Sequence, residues 1–216
     1  MADSARTSPS RSSGRLIVLE GGEGSGKSTQ AERLATRLGA VLTHEPGATE
    51  LGAALRRLLL DERSAPVDER AEALLMAADR AQHVAEVIGP ALAEGRTVVC
   101  DRYVGSSLAY QGVGRGLGVA AVAALSAFAV AGRTPDVVVL LDVPPDVAAA
   151  RLADRAGDAD RLEAAGEEFH ARVRAGYLAL AADDPDHWLV VSGAGGPDEV
   201  AGAVVDALVG RLGPLT

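Results

Sequence analysis

The side chains best placed for chemistry lie in a glycine-rich segment near the amino end of the chain. Its sequence, Gly-Gly-Glu-Gly-Ser-Gly-Lys-Ser from Gly21 to Ser28, matches G-x-x-x-x-G-K-[ST] in full, between an apolar run and a helical pattern. In such a loop the backbone N–H groups converge on phosphate oxygens, the lysine bridges the outer phosphates, and the serine hydroxyl binds Mg²⁺. The residues predicted to bind ATP are Gly21, Gly22, Glu23, Gly24, Ser25, Gly26, Lys27, Ser28 and Thr29.

The basic residues of the chain argue against a chance match. Lys27 is the only lysine among 21 basic residues, and all the others are arginines. A compact ammonium suits a phosphate cradle better than a planar guanidinium does. We therefore expect Lys27 to act in catalysis.

A second candidate, Asp101, directly follows the apolar run at residues 97–100. A carboxylate at the carboxyl end of a buried strand beside a phosphate loop could bind Mg²⁺ together with Ser28. The alternative is a strand-end acid that caps the next helix. The one cysteine, Cys100, is expected to be a packed core residue rather than a nucleophile.

The hydrophobic pattern supplies the elements that would position these residues. Short apolar runs alternate with longer helical stretches, which is typical of βαβ units with a parallel sheet. Strands are predicted at residues 16–19, 40–42, 97–100, 137–141 and 188–191. Helices are predicted at 27–38, 50–60, 68–93, 106–131, 145–153, 163–182 and 198–212. We expect an α/β fold of three layers, a five-stranded parallel sheet flanked by helices, formed by residues 15–216 as one domain behind a disordered tail of residues 1–14.

Charge and composition exclude several classes of partner. The formal net charge of −9 disfavours a nucleic-acid polymer, because such binding depends on a basic surface. No apolar run approaches the ~18 residues typical of a membrane span, and the amino end has no hydrophobic segment. The sequence thus predicts a cytoplasmic protein whose anionic substrates are small and are bound by local arginines.

Among proteins with this phosphate loop, a small kinase fits best. A GTPase needs an Asn-Lys-x-Asp motif to read guanine, but the chain has no asparagine and its one lysine is already in the phosphate loop. No water-positioning residue of a hydrolytic ATPase can be identified. A P-loop kinase fold then requires a second site for an acceptor.

Several segments in order resemble bacterial thymidylate kinases. They are THEPGAT at 43–49, AADRAQH at 77–83, DRY at 101–103 and SSLAYQG at 106–112, and the similarity extends from residue 15 to about 185. The resemblance implies transfer of the γ-phosphoryl group of ATP to dTMP, giving dTDP in dTTP biosynthesis, with Mg²⁺ as cofactor and a homodimeric assembly.

The resemblance also implies roles for individual residues. Arg102 would bind the acceptor phosphate, Arg56 would contact or support that phosphate, and Arg80 would reach a base carbonyl. Glu23 would accept a hydrogen bond from the sugar hydroxyl. The predicted substrate-binding residues are Glu23, Arg56, Met76, Arg80, Arg102, Ser107, Tyr110 and Gln111. From spacing alone, Arg80 could equally be a solvated helix residue and Tyr110 a core ring.

The phosphate loop lacks the arginine that some members of the family carry there. An arginine-bearing segment at about 151–163 resembles the family's lid, and Arg151 and Arg155 are the candidates for catalytic charges on the transferred phosphoryl group. The alternative is a solvated helix with local ion pairs.

Three positions depart from the family pattern. Met76 stands where a phenylalanine commonly stacks on thymine, His44 where arginine is frequent, and Ala48 where a second glycine is frequent. Two rivals therefore remain open: a kinase of the same fold with another acceptor, and a nucleotide-binding regulatory module without transfer.

Overall fold

A computed structural model describes residues 14–61, 65–154 and 161–215 of the chain. Five parallel strands form one sheet in the order β2-β3-β1-β4-β5, which confirms the predicted sheet. The strands are β1 Leu16–Glu20, β2 Val41–His44, β3 Val98–Asp101, β4 Val137–Asp142 and β5 Trp188–Ser192. Of the predicted tail, residues 1–13 lie outside the described residues.

Helices connect the strands and cover both faces of the sheet. They are α1 Lys27–Leu38, α2 Glu50–Leu60, α3 Glu69–His83, α4 Gly89–Ala93, α5 Val104–Ser107, α6 Val119–Val130, α7 Pro145–Ala153, α8 Glu167–Asp183 and α9 Pro197–Leu212. Two π-helical segments, Val84–Ile88 and Leu108–Gly114, and a 3₁₀ turn, Glu163–Ala165, complete the described helical structure. No helix within the described residues is both long and apolar enough to cross a membrane.

The core consists of two apolar layers, one on each face of the sheet. On one face, Ile17 and Leu19 of β1 pack with α1 and α9. On the other, Leu16 and Val18 pack against the segment Val84–Ile88. Because both faces are covered, β1 is apolar at every position but its last, as in other buried parallel strands. Cys100 is fully buried in this core, and burial raises the pKa of its thiol well above the usual value, as expected for a packed residue.

The predicted helix at 106–131 is wrong as a single element. It divides into α5, the π segment Leu108–Gly114 and α6. Gly116 and Gly118 separate the last two with φ values of 74° and 87°, a region that favours glycine and interrupts a right-handed helix. The other long predicted helix, 68–93, continues from α3 into α4 through the π-helical segment Val84–Ile88. Pro90, which has no backbone N–H to donate, follows this segment in α4.

The order of strands places the candidate chemistry at one edge. The chain winds from β1 to β2 and β3 on one side and then crosses to β4 and β5 on the other. In such sheets the crevice at the carboxyl ends of the strands, where the winding reverses, is the usual ligand site. The phosphate loop leaves β1 at this point, and Asp101 at the end of β3 pairs in register with Leu19 of β1.

Candidate active site

A cavity of about 520 Å³ opens at the carboxyl edge of the sheet, beside the phosphate loop. Its wall is formed by the phosphate loop and by residues of β2, α2, α3, β3 and the segment after β3. The predicted site residues that line it are Glu23, Lys27, Ser28, Arg56, Met76, Arg80, Asp101, Arg102, Ser107, Tyr110 and Gln111. The fold thus brings together residues separated by up to 88 positions in the sequence.

The phosphate loop passes closely against the start of α7. Gly24 has a φ of 69°, and a Cβ there would lie 2.6 Å from the Ala148 carbonyl oxygen, so only glycine fits without strain. Lys27 is buried, and its Nζ donates to the Gly22 carbonyl at 2.8 Å and to Ser25 Oγ at 3.3 Å. Burial, followed by the charge of Arg102, lowers the pKa of Lys27 to about 8. The ammonium is held back on the loop, where phosphate oxygens could replace these neutral acceptors.

Ser28 and Asp101 meet beside Lys27. The Ser28 hydroxyl donates to Asp101 Oδ2 at 2.5 Å, whereas Asp101 Oδ1 is buried and has no hydrogen-bond partner among the described residues. Residues 14–61, 65–154 and 161–215 contain no cluster of three or more His, Cys, Asp or Glu side chains that could hold a metal by themselves. Mg²⁺ commonly takes one or two protein oxygens and completes its shell with phosphates and water. One carboxylate with a free oxygen and one hydroxyl therefore fit Mg²⁺ bound together with ATP.

Arg102 occupies the centre of the cavity in an unusual backbone conformation. Its φ of 69° is left-handed, which for a non-glycine residue costs about 1–3 kcal/mol and is often found at functional sites. The guanidinium donates to the Gly21 carbonyl at 3.1 Å and to the hydroxyls of Ser106, Tyr110 and Tyr177 at 3.2–3.3 Å. This conformation turns the side chain from the end of β3 towards the phosphate loop.

Glu23 of the phosphate loop is the ionic partner of Arg102. Its carboxylate accepts hydrogen bonds from Arg102 Nη2 and from the Tyr110 hydroxyl, the latter at 2.7 Å. Burial alone would raise the pKa of Glu23, but the charges of Arg102 and Lys27 outweigh it and hold the pKa at about 2. Glu23 is therefore an anion that lines the cavity in an ion pair with Arg102.

Glu20 and Tyr177 belong to the site but were not predicted from the sequence. Glu20 is fully buried at the end of β1 and accepts hydrogen bonds from the backbone of Tyr103 and Ser106 and from the Tyr177 hydroxyl at 2.9 Å. Burial raises its pKa. Glu20 ends an apolar strand next to the phosphate loop, as Asp101 ends β3, so its position in the sequence could have identified it. Tyr177 lies far along the chain in α8, and no sequence pattern connects it to the phosphate loop.

Arg80 is held by buried partners on several sides. It is only 2% exposed, so the alternative of a solvated helix residue is excluded. Its Nε donates to Glu45 at 2.8 Å, and its Nη2 donates to the Tyr103 carbonyl at 2.9 Å and to Ser107 Oγ at 3.1 Å. Glu45 also contacts His83 Nδ1 at 2.9 Å. The guanidinium plane is thereby fixed at the cavity wall.

Tyr110 and Met76 combine core packing with exposure to the cavity. Both belong to the cluster that includes Phe169 and Tyr177. The Tyr110 hydroxyl nevertheless reaches Glu23, so this residue is a core ring with a polar end in the site. Met76 presents an apolar wall to the cavity.

The remaining predicted residues lie around this centre or outside it. Arg56 lines the cavity and donates to the Pro46 carbonyl at 2.9 Å. Near it, burial and the charge of Arg56 lower the pKa of His44.

Arg151 is not at the cavity wall: it donates to the carbonyls of Gly24, Ala194 and Gly195, tying the phosphate loop to the segment after β5. Arg155 and the rest of residues 155–160, within the predicted lid, lie outside the described residues.

The fold and the cavity together define a P-loop kinase, with the phosphate loop at the cavity and Arg56, Arg80 and Arg102 in its wall. The family model described as "Thymidylate kinase" matches residues 19–204. The curated thymidylate kinase of Solidesulfovibrio magneticus is 51% identical over 91% of this chain and 99% of its own length. That of Leifsonia xyli is 50% identical over 94% and 99%, and that of Cutibacterium acnes 48% identical over 92% and 98%. The chain belongs to the thymidylate kinase family.

Proposed function

We propose that this cavity is where the chain transfers the γ-phosphoryl group of ATP to the 5′-phosphate of dTMP, giving dTDP and ADP on the route to dTTP. Family membership supports the reaction. The observation that carries the assignment to the cavity is Arg102, a partly buried cation that contacts Glu23 and the Gly21 carbonyl of the phosphate loop while it lines the cavity.

Transfer needs positioning and charge neutralisation rather than a general base, because a phosphate oxygen is already a nucleophile. Lys27 neutralises the outer phosphates of ATP. Arg102 binds the acceptor phosphate with two of its N–H groups and aligns it with the γ-phosphate. Ser28 and Asp101 would hold Mg²⁺, which supplies further neutralisation of the ATP phosphates when it is bound.

The rest of the cavity receives the nucleoside. The Glu23 carboxylate accepts from the 3′-hydroxyl of the sugar, next to the Tyr110 hydroxyl that already contacts it. Arg80, Ser107 and Gln111 present polar atoms to the base, and Met76 packs on its face. Arg56 supports the acceptor phosphate from α2. The contacts of Arg151 favour a role in holding the phosphate loop against the segment after β5 over direct contact with the transferred phosphoryl group. Arg155 stays a candidate for the transition state.

Family membership also supports two proposals, one on assembly and one on location. We propose a homodimer that buries the exposed apolar side chains of three neighbouring helices, and we place the enzyme in the cytoplasm, where its nucleotide substrates occur. The side chains concerned are Leu51 and Leu58 of α2, Leu74 of α3 and Phe128 of α6, called here the apolar helix face.

The competing function is a kinase of the same fold with another acceptor, which the methionine at position 76 keeps open. The test is release of ADP from Mg·ATP with dTMP, dUMP, UMP, CMP, AMP and GMP offered singly, beside a control without acceptor. We expect strong preference for dTMP. Faster ADP release with another nucleotide would identify that nucleotide as the acceptor. ADP release at the same rate with every nucleotide and without any would contradict kinase function.

A further inference from the structure

We propose that Glu72 is a positioning residue that sets the base preference of the cavity by fixing the orientation of the Gln111 amide. The proposal rests on the function proposed above and extends it to the choice between thymine or uracil and cytosine. Glu72 lies on α3, outside the set predicted from the sequence.

The contact between the two side chains defines the direction of the amide. Glu72 is 1% exposed, and its Oε1 accepts a hydrogen bond from Gln111 Nε2 at 3.0 Å. A carboxylate can only accept, so the nitrogen of the amide, and not its oxygen, must face Glu72. Arg115 and Arg161 also contact the carboxylate, at 3.1 and 3.4 Å.

The amide oxygen of Gln111 is consequently the atom offered to the acceptor. Gln111 lines the cavity, and its amide nitrogen is engaged with Glu72. Arg80, at the same wall, can only donate, and its orientation is fixed by Glu45. The base site therefore presents one acceptor from Gln111 and donors from Arg80.

This polarity matches one pyrimidine edge and opposes the other. Thymine and uracil carry an N3–H donor beside carbonyl acceptors, whereas cytosine has an acceptor at N3 and an amino donor at C4. Cytosine in the same pose would place its N3 against the Gln111 oxygen and its amino group against a guanidinium. A site built to hydrogen-bond one pattern rejects the other strongly, because its own buried polar groups are left unpaired.

A purely structural role for Glu72, as the anion of the cluster with Arg115 and Arg161, makes a different prediction. Loss of the cluster would lower kcat/KM by the same factor for every nucleotide. Loss of the orienting acceptor would instead change the ratio of kcat/KM for dTMP to that for dCMP, because a freed amide can rotate and offer its nitrogen.

The experiment compares this ratio in wild type, E72Q and R115M, with melting curves to verify folding. A glutamine at 72 can donate or accept, so it no longer dictates the direction of the Gln111 amide, and we expect the dTMP:dCMP ratio to fall by at least about tenfold. R115M removes one ionic contact of Glu72 but keeps the orienting carboxylate, so its ratio should stay within about threefold of wild type. An E72Q ratio equal to that of wild type, or an equal fall in R115M, would overturn the proposal.

A second variant covers the case in which E72Q does not fold. Q111M replaces the amide with a thioether of similar length, and its dTMP:dCMP ratio should collapse as in E72Q; a preserved ratio would refute the role of the amide. If E72Q folds, the double variant E72Q/Q111M should show no further fall. Absence of dTMP phosphorylation by wild type would contradict the proposed function instead, so the two failures are distinguishable.

Discussion

Arg102 shows how one residue can connect the two halves of the site. It extends from the end of β3 in a left-handed conformation, and its guanidinium reaches the phosphate loop and two tyrosine hydroxyls. Burial opposes the charge of Arg102, but the charge of Glu23 and other neighbours outweighs it, and the pKa of Arg102 is raised well above its ordinary value. A permanent cation at this point can serve the acceptor without proton exchange.

Lys27 offers a test at the same scale. Its pKa of about 8 means that the neutral, reactive amine forms at lower pH than in an ordinary lysine, whose pKa is about 10.4. We expect the rate of amine-directed labelling of Lys27, followed by mass spectrometry, to rise through pH ~8 and to level off above it, and ATP to suppress it.

The α-amino group of the chain is the internal control for this labelling, since ATP should leave its modification unchanged. A labelling rate for Lys27 that keeps rising towards pH ~10.4, or that ignores ATP, would contradict its placement in the phosphate site. Full activity after complete labelling would contradict its catalytic role.

The placement of residues that depends on local sequence was predictable, and placement that depends on distant contacts was not. The phosphate loop and Asp101 follow from a motif and from the end of a strand. Tyr177 joins Arg102 across 75 positions, and no spacing rule connects them. Glu72 lies in the first turn of α3, where acids are common, yet it is buried and Arg115, Arg161 and Gln111 converge on it.

At the scale of elements, the strands and most helices follow from the hydrophobic period. The clearest error is the single helix predicted at 106–131. The break was missed because the turn at 116–118 contains a leucine and directly precedes the alanine- and valine-rich stretch of α6. The π segment Leu108–Gly114 carries Tyr110 and Gln111, so the irregular part of this region is the part that faces the cavity.

The helices on one face of the sheet carry the proposed dimer interface. α2 packs on α3 and α3 on α6, and the apolar helix face leaves Phe128 90% exposed. An aromatic side chain this exposed is a typical interface anchor. We expect wild type to sediment as a dimer and F128D to shift to a monomer in analytical ultracentrifugation.

V209D is the matched control, because Val209 is an exposed apolar residue of α9, on the opposite face of the sheet. It should leave the dimer intact. A wild-type monomer at all concentrations, or loss of the dimer in V209D and not in F128D, would contradict the assigned interface.

At the scale of the whole molecule, an acidic chain gathers four cations at one cavity. The chain carries a net charge of −9, and the cavity wall contains Lys27, Arg56, Arg80 and Arg102 beside the acids Glu23, Glu32, Glu45, Asp79, Asp101 and Glu163. An acidic surface repels long polyanions, while a local group of cations can bind two small phosphorylated substrates. The composition predicted small anionic substrates bound by local arginines, and the fold gathers four basic side chains from separate elements at the cavity.

The most direct measurement is dTMP-dependent ADP formation by R102A, with ATP affinity measured on the same protein. We predict that transfer falls by at least about a thousandfold while ATP affinity stays within about threefold, because Arg102 aligns the acceptor phosphate and Lys27 carries the ATP phosphates. R33A, which removes an exposed arginine paired with Asp198 away from the cavity, should change neither. Transfer that survives in R102A, or loss of ATP binding in equal measure, would contradict the assignment of Arg102 to the acceptor phosphate.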